Sequence, residues 1–188
     1  MKLSLKYFIV LFSILCFFYR VSAQTTNVSG IINNYTSISS IGSQSVNAVT
    51  TSGFAVGDKV LLIQMKGASI DTTNTSNFGT ITSFNEAGNY EMLVISAITS
   101  TTITFTNPIL RSYSISGLVQ LVKVPVYNNV NVIGLLTCTA WNGFVGGVLV
   151  FEATGNVTLN ANIDVTGKGF LGGAISSGQF FSCSGNTS

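Results

Sequence analysis

The chain has 188 residues, of which 46% are apolar and only 7% charged, with 8 Lys or Arg, 6 Asp or Glu and no His. Neutralising phosphates along a nucleic acid takes a denser basic surface than this, so a nucleic-acid partner is not expected. Without His there is no Ser-His-Asp or Cys-His catalysis, no His-bearing zinc site and no ordinary switch near neutral pH. An enzyme is therefore not expected, and neither is a cofactor or metal.

The first 23 residues have the three parts of a secretory signal: a charged start with Lys2 and Lys6, an apolar run over 7–18, and small residues ending at Ala23. Cleavage is predicted between Ala23 and Gln24, which places the protein outside the cell. A run of 12 residues is shorter than the roughly 20 of a spanning helix, and Arg20 stops its extension, so no membrane span is predicted in the mature chain. Ile14 and Leu15 disfavour lipid attachment at Cys16, because that signal wants small residues there.

Removing 23 of 188 residues leaves 165, carrying 5 positive and 6 negative side chains, with Ser, Thr and Asn making up 58 of them. The predicted surface is thus solvated by neutral hydroxyls and amides. Two cysteines remain, Cys138 and Cys183, in a compartment where thiols oxidise. A bridge between them would close a loop of about 45 residues and stabilise by about 4 kcal/mol. Spacing does not fix the pairing, and Cys183 could instead pair with a cysteine beyond the end of this chain.

After Gln24, alternation and β-branched residues dominate, so the fold class expected is all-β. Residues 28–41 read as a β-prone entry segment. Residues 58–66 read as a strand opened by a Gly57-Asp58 turn, and Val60-Leu61-Leu62-Ile63, apolar on both faces, makes it central. A shorter strand follows over 78–84, then a turn over 85–89. Residues 90–98 and 102–106 read as a hairpin, with Pro108 ending the pairing. Residues 117–124 form a further strand, stopped by Pro125.

Beyond Pro125 the composition shifts, with 11 of the 19 glycines falling between Gly134 and Gly185. Short strands over 147–151, 157–160 and 163–165, punctuated by Gly and Asn, predict coils of a parallel β-helix, with Asn156, Asn160 and Asn162 at inward or corner positions. The expected organisation is a leader over 1–23, a small barrel- or sandwich-like module over 24–127, and the start of a glycine-rich β-helix-like region over 128–188. A last coil without a cap predicts that this sequence is part of a longer chain.

The strings Gly57-Asp58-Lys59-Val60-Leu61-Leu62-Ile63-Gln64-Met65-Lys66-Gly67-Ala68, Gly79-Thr80-Ile81, Gly88-Asn89-Tyr90-Glu91, Val119-Gln120-Leu121-Val122-Lys123-Val124-Pro125-Val126-Tyr127, Trp141-Asn142-Gly143 with Gly146-Gly147-Val148-Leu149, and Gly167-Lys168-Gly169-Phe170-Leu171-Gly172-Gly173 occur in that order. Together they resemble the N-terminal region of large secreted surface proteins of gliding Bacteroidota-type bacteria. The resemblance covers about residues 57–173. It implies placement on the cell surface, a role in adhesion or motility, a glycine-rich β-helix-like continuation, and a C-terminal type IX secretion sorting or gliding-motility-associated domain. It brings no catalytic motif.

Six carboxylates are available for chemistry: Asp58, Asp71, Glu86, Glu91, Glu152 and Asp164. Asp58 and Glu86 lie in turn-like contexts. Glu152 and Asp164 are the better pair, since both lie in predicted coils, and Lys168 is near enough in sequence to complete a lyase-like set. One Asp and one Glu are too few for calcium, which gathers 6 to 8 oxygens. Among the aromatics, Phe105 and Phe151 fall in apolar alternations and are expected in the core. Trp141, beside a turn, is the candidate ligand contact. The Gly167-x-Gly169-x-x-Gly172 spacing matches a dinucleotide fingerprint without the βαβ context that gives it meaning. Sequons starting at Asn27, Asn34, Asn74, Asn156 and Asn186 are expected by chance in so Asn- and Thr-rich a chain.

The reading that follows is an exported, non-catalytic surface protein with a structural or adhesive role, its partner an extracellular glycan or protein. The alternative is a carbohydrate-binding or polysaccharide-degrading β-helix protein.

Overall fold

In the computed structural model, residues 24–170 are described. The leader, Ala23 and Cys183 lie outside them, and Gln24 is the first described residue. The chain is all-β, built from a closed barrel and a parallel β-solenoid. Among the described residues no helix is long and apolar enough to cross a membrane.

The solenoid begins the described chain. Strand β1 (Thr25–Ile31) pairs in parallel with β11 (Asn129–Thr137), which pairs in parallel with β13 (Val157–Leu159); a second parallel pair joins β10 (Val126–Tyr127) to β12 (Glu152–Ala153). Val126 lies opposite Glu152 and Val130 opposite Val157, so those coils are 26 to 27 residues apart. Thr25 lies opposite Asn129, a separation of 104. The first coil is thus opened by an insertion, whose strands run from Tyr35 to Lys123.

That insertion is the barrel. Its strands are β2 (Tyr35–Ile41), β3 (Ser45–Ala48), β4 (Lys59–Gln64), β7 (Tyr90–Ile98), β8 (Thr102–Phe105) and β9 (Val119–Lys123), closed in the order β2-β3-β8-β7-β4-β9. All its pairings are antiparallel. A small hairpin of β5 (Ser69–Ile70) and β6 (Ile81–Ser83) projects between β4 and β7. Strand periodicity explains the closure: Val60 and Leu62 of β4, Leu93 and Ile95 of β7, Ile103 and Phe105 of β8, and Val119 and Leu121 of β9 alternate into one interior. Each such side chain contributes about 2 kcal/mol on leaving water.

Two strands are apolar on both faces because they have two cores to meet. Leu61 and Ile63 of β4 and Val122 of β9 point out of the barrel, where they pack with Val124, Tyr35, Val148 and Val150. The solenoid's return segment therefore lies across the barrel wall. The solenoid's own core is Val28, Val130, Val132 and Leu136, flanked by Tyr127, Leu149 and Phe151.

Pairing departs from the expected division in one respect. The sequence places residues 24–31 in the N-terminal module, yet β1 is a strand of the solenoid sheet, because its partner β11 lies beyond the expected boundary at 127/128. The expected strand over 147–151 is also displaced, since ladder pairing begins at Glu152.

Candidate functional site

The junction between barrel and solenoid concentrates the buried polar groups. Asn33, 8% exposed, sits where the chain leaves β1 for β2. Its amide nitrogen donates to the carbonyls of Lys123 and Val150, and its amide oxygen accepts from Val150 N–H at 3.2 Å. Gln120 is fully buried and faces outward from β9. Its amide closes a reciprocal pair with Gly146, donating to Gly146 O at 3.0 Å and accepting from Gly146 N–H at 2.9 Å. Both side chains copy a strand's hydrogen-bonding edge, which satisfies backbone groups that burial would otherwise leave unpaired. Tyr35 adds a third link, its hydroxyl donating to Val148 O at 2.6 Å. Burial first, and the neighbouring Cys138 second, push the Tyr35 hydroxyl up to about 12.

The solenoid side of this junction is a tight turn. Asn142 Oδ1 accepts the N–H groups of Phe144 at 2.9 Å and Val145 at 3.0 Å, and Asn142 N–H donates to Val145 O at 3.1 Å. Gly146 takes φ +100°, and a Cβ there would stand 2.6 Å from Ala140 O, so the position requires glycine. The turn holds Phe144 out at 62% exposure. Near it lie Val49 and Thr50, which follow β3, and Tyr35, Thr36 and Ser37 of β2. These residues, with Val145, line a cleft of about 360 Å³.

The six carboxylates available for chemistry are engaged in ion pairs and turns. Glu152 forms an ion pair with Lys59, joining β12 to β4. Asp164 Oδ1 accepts Thr166 N–H at 2.8 Å, and hydrogen bonds from Thr166, with Lys168 a lesser influence, hold its carboxyl below the usual range. Asp58 pairs with Lys123 at 2.8 Å and accepts Ala55 N–H, while Glu91 accepts Leu110 and Arg111 N–H. Asp71 is held low by the Thr73 hydroxyl and amide. Glu86 stands in a positive-φ turn, at 64°. Among the described residues, no group of three or more acidic or Cys side chains gathers as a metal site.

Trp141 does not offer a face to a ligand. It is 8% exposed, its ring meets Phe170 edge-on with centroids 5.2 Å apart, and its backbone N–H donates to Lys168 O at 2.8 Å. The sequence placed it correctly beside a turn, but the turn folds the indole inward. Cys138 is fully buried, and burial pushes its thiol up. Phe105 is fully buried as expected, and Phe151 is half-buried against Tyr127.

Sequence reasoning missed Asn33, Gln120 and Phe144. A signal existed for Gln120 and also for Gln64. Each interrupts an apolar strand with an amide, and Gln64 plugs one barrel end by donating to Lys66 O and Asn85 O and accepting from Ser114 N–H.

No protein-family model matches the chain, and no curated protein does. Solved structures that resemble it include three phage tailspikes. They are gp61 of Pseudomonas phage phi297 (13% identity, TM-score 0.36, 61% of this chain and 18% of that one), gp49 of Pseudomonas phage LKA1 (14%, 0.32, 77% and 24%), and Gp54 of Acinetobacter baumannii bacteriophage AP22, solved with a capsular saccharide (13%, 0.32, 72% and 23%). The chain spans a quarter or less of the length of these proteins. Likeness at this level is too slight to bear on function, and the architecture rests on the strand pairing itself.

Proposed function

We propose that the protein is an exported, non-catalytic component of the cell surface with a structural or adhesive role, belonging to the N-terminal region of a large type IX secretion cargo. The observation that carries this reading is the barrel wedged into the first solenoid coil and clamped there by Asn33, Gln120 and Tyr35. Such a joint makes a rigid head on a stack of coils, and a rigid head suits presentation better than turnover. Support comes from the leader-like residues 1–23, from the ordered resemblance to gliding-bacterial surface proteins, and from an asparagine ladder across the solenoid sheet. There Asn131 Nδ2 donates to Asn27 Oδ1 at 3.0 Å, and Asn160 Nδ2 donates to Asn131 Oδ1. Glu152 and Asp164, the best acid-base candidates, are each engaged in holding structure.

Antibodies to the barrel, applied to intact cells of the bacterium that encodes the chain, test the reading. Labelling of unbroken cells, removed by external protease, is the expected result. Labelling seen only after lysis would sink it.

A further inference from the structure

We infer that the cleft between Phe144 and Val49 binds a neutral saccharide, an inference that rests on the adhesive surface role and names the class of ligand that role would use. Three features of the cleft point to this chemistry. Its lining carries no charged side chain, so it favours neither a phosphate, a uronate nor a cation. Its wall is an aromatic ring, 62% exposed and held in place by a turn whose backbone is fixed on both sides of the ring, by Asn142 and by Gln120. Its lining also carries hydroxyls: Ser37, which alternates with Thr36 along β2 and shares the outward face of Tyr35, and Thr50, whose Oγ1 accepts Ser52 N–H at 3.2 Å and so leaves its own O–H to donate. A pyranose has the complementary surface, an apolar ring face of C–H groups edged by hydroxyls. A ring seated on Phe144 would bury the one, and the Ser37 and Thr50 hydroxyls would meet the other.

The cleft is also continuous with the clamped junction, since Tyr35 and Val145 belong to both. Its walls therefore come from two bodies that hold each other still, and a preformed site loses little freedom on binding. Phe144 takes no part in the adjoining apolar cluster, against which Val148 and Val150 pack.

Isothermal titration of the purified protein with cellotetraose, mannotetraose, chitotetraose and tetragalacturonate tests the inference. At least one neutral tetrasaccharide is expected to bind. Phe144→Ala should weaken it about tenfold, the loss of one aromatic face, and Phe144→Trp should retain it. Because the ring is exposed, Phe144→Ala should leave the thermal midpoint unchanged, and this guards against misreading an unfolded variant. Binding of no neutral sugar, equal binding by Phe144→Ala, or preference for tetragalacturonate would overturn the inference. Surface labelling of cells without sugar binding removes the cleft assignment and leaves the surface role standing; sugar binding lost on Phe144→Ala in a protein that never reaches the surface does the reverse.

Discussion

The barrel and the solenoid solve the same problem in different ways. Closing six strands on themselves leaves the barrel without an unpaired edge, and its inward side chains are sealed at every level, with Val60, Leu62, Ile103, Phe105, Val119 and Leu121 all at 0% exposure. The solenoid seals its side chains in the first two described coils and leaves them open in the third. Along the register column Val28, Val132 and Leu159, exposure runs 6%, 0% and 59%; from Leu136 to Ile163 it runs 0% to 41%. Burial in the solenoid belongs to the stack and not to the strand, so identical residue types differ in worth by their place in it.

The largest effect should come from hollowing the barrel. Leu62→Ala removes a fully buried side chain from a closed interior and should cost about 4 kcal/mol in denaturant unfolding. A cost below about 1 kcal/mol would mean the interior is not sealed as described. Next comes the joint. Gln120→Leu keeps the volume but strips Gly146 of both partners, leaving a buried N–H and C=O unpaired. The expected cost is about 3 kcal/mol, with new protease cleavage over 139–147 while the barrel survives. Uniform loss of both bodies instead would show that they unfold as one.

How far the sequence foretold this comparison varies by region. The two-faced run Val60 to Ile63 announced a central strand, because apolar residues at both parities need a core on both sides, and the structure supplies the barrel interior and the solenoid return. The hairpin of β7 and β8 was legible from alternation around a polar turn. The split of 28–41 was not, for its two strands serve different bodies and the break at Asn33-Asn34 looks like any polar pair. Phe144 escaped notice because exposure in a glycine-rich turn depends on which way the turn is clamped, and the clamp is Gln120, 24 positions away in the chain. Trp141 misled for the same reason.

Smaller effects refine the picture. Tyr35→Phe deletes the hydroxyl bonded to Val148 and should cost about 1 kcal/mol at neutral pH. The Tyr35 proton is held more tightly in the folded chain, so its contribution is full below pH 10 and is lost as pH rises through about 12. Alkaline titration of stability should therefore be shallower in Tyr35→Phe, though not flat, since burial also raises Tyr113 and Tyr127. An unchanged slope would place the Tyr35 hydroxyl in water. The smallest effect should be Leu159→Ala, at 59% exposure, within about 0.5 kcal/mol. A loss comparable to that of a core leucine would show that the third coil is covered in solution.

The 104-residue separation of Thr25 from Asn129 also governs the order in which the molecule can assemble. Bringing those strands together from a random chain costs about 1 kcal/mol more in loop closure than joining coils 27 residues apart. The barrel removes most of that burden beforehand: β2 and β9 are neighbours, with Lys123 N–H donating to Asn34 O at 2.8 Å, so its entry and exit emerge side by side. Once the barrel has closed, β1 and β11 are held as if by a short linker. The inserted domain then acts as the folding template for the coil it interrupts, and rates of solenoid formation should follow barrel stability rather than solenoid sequence.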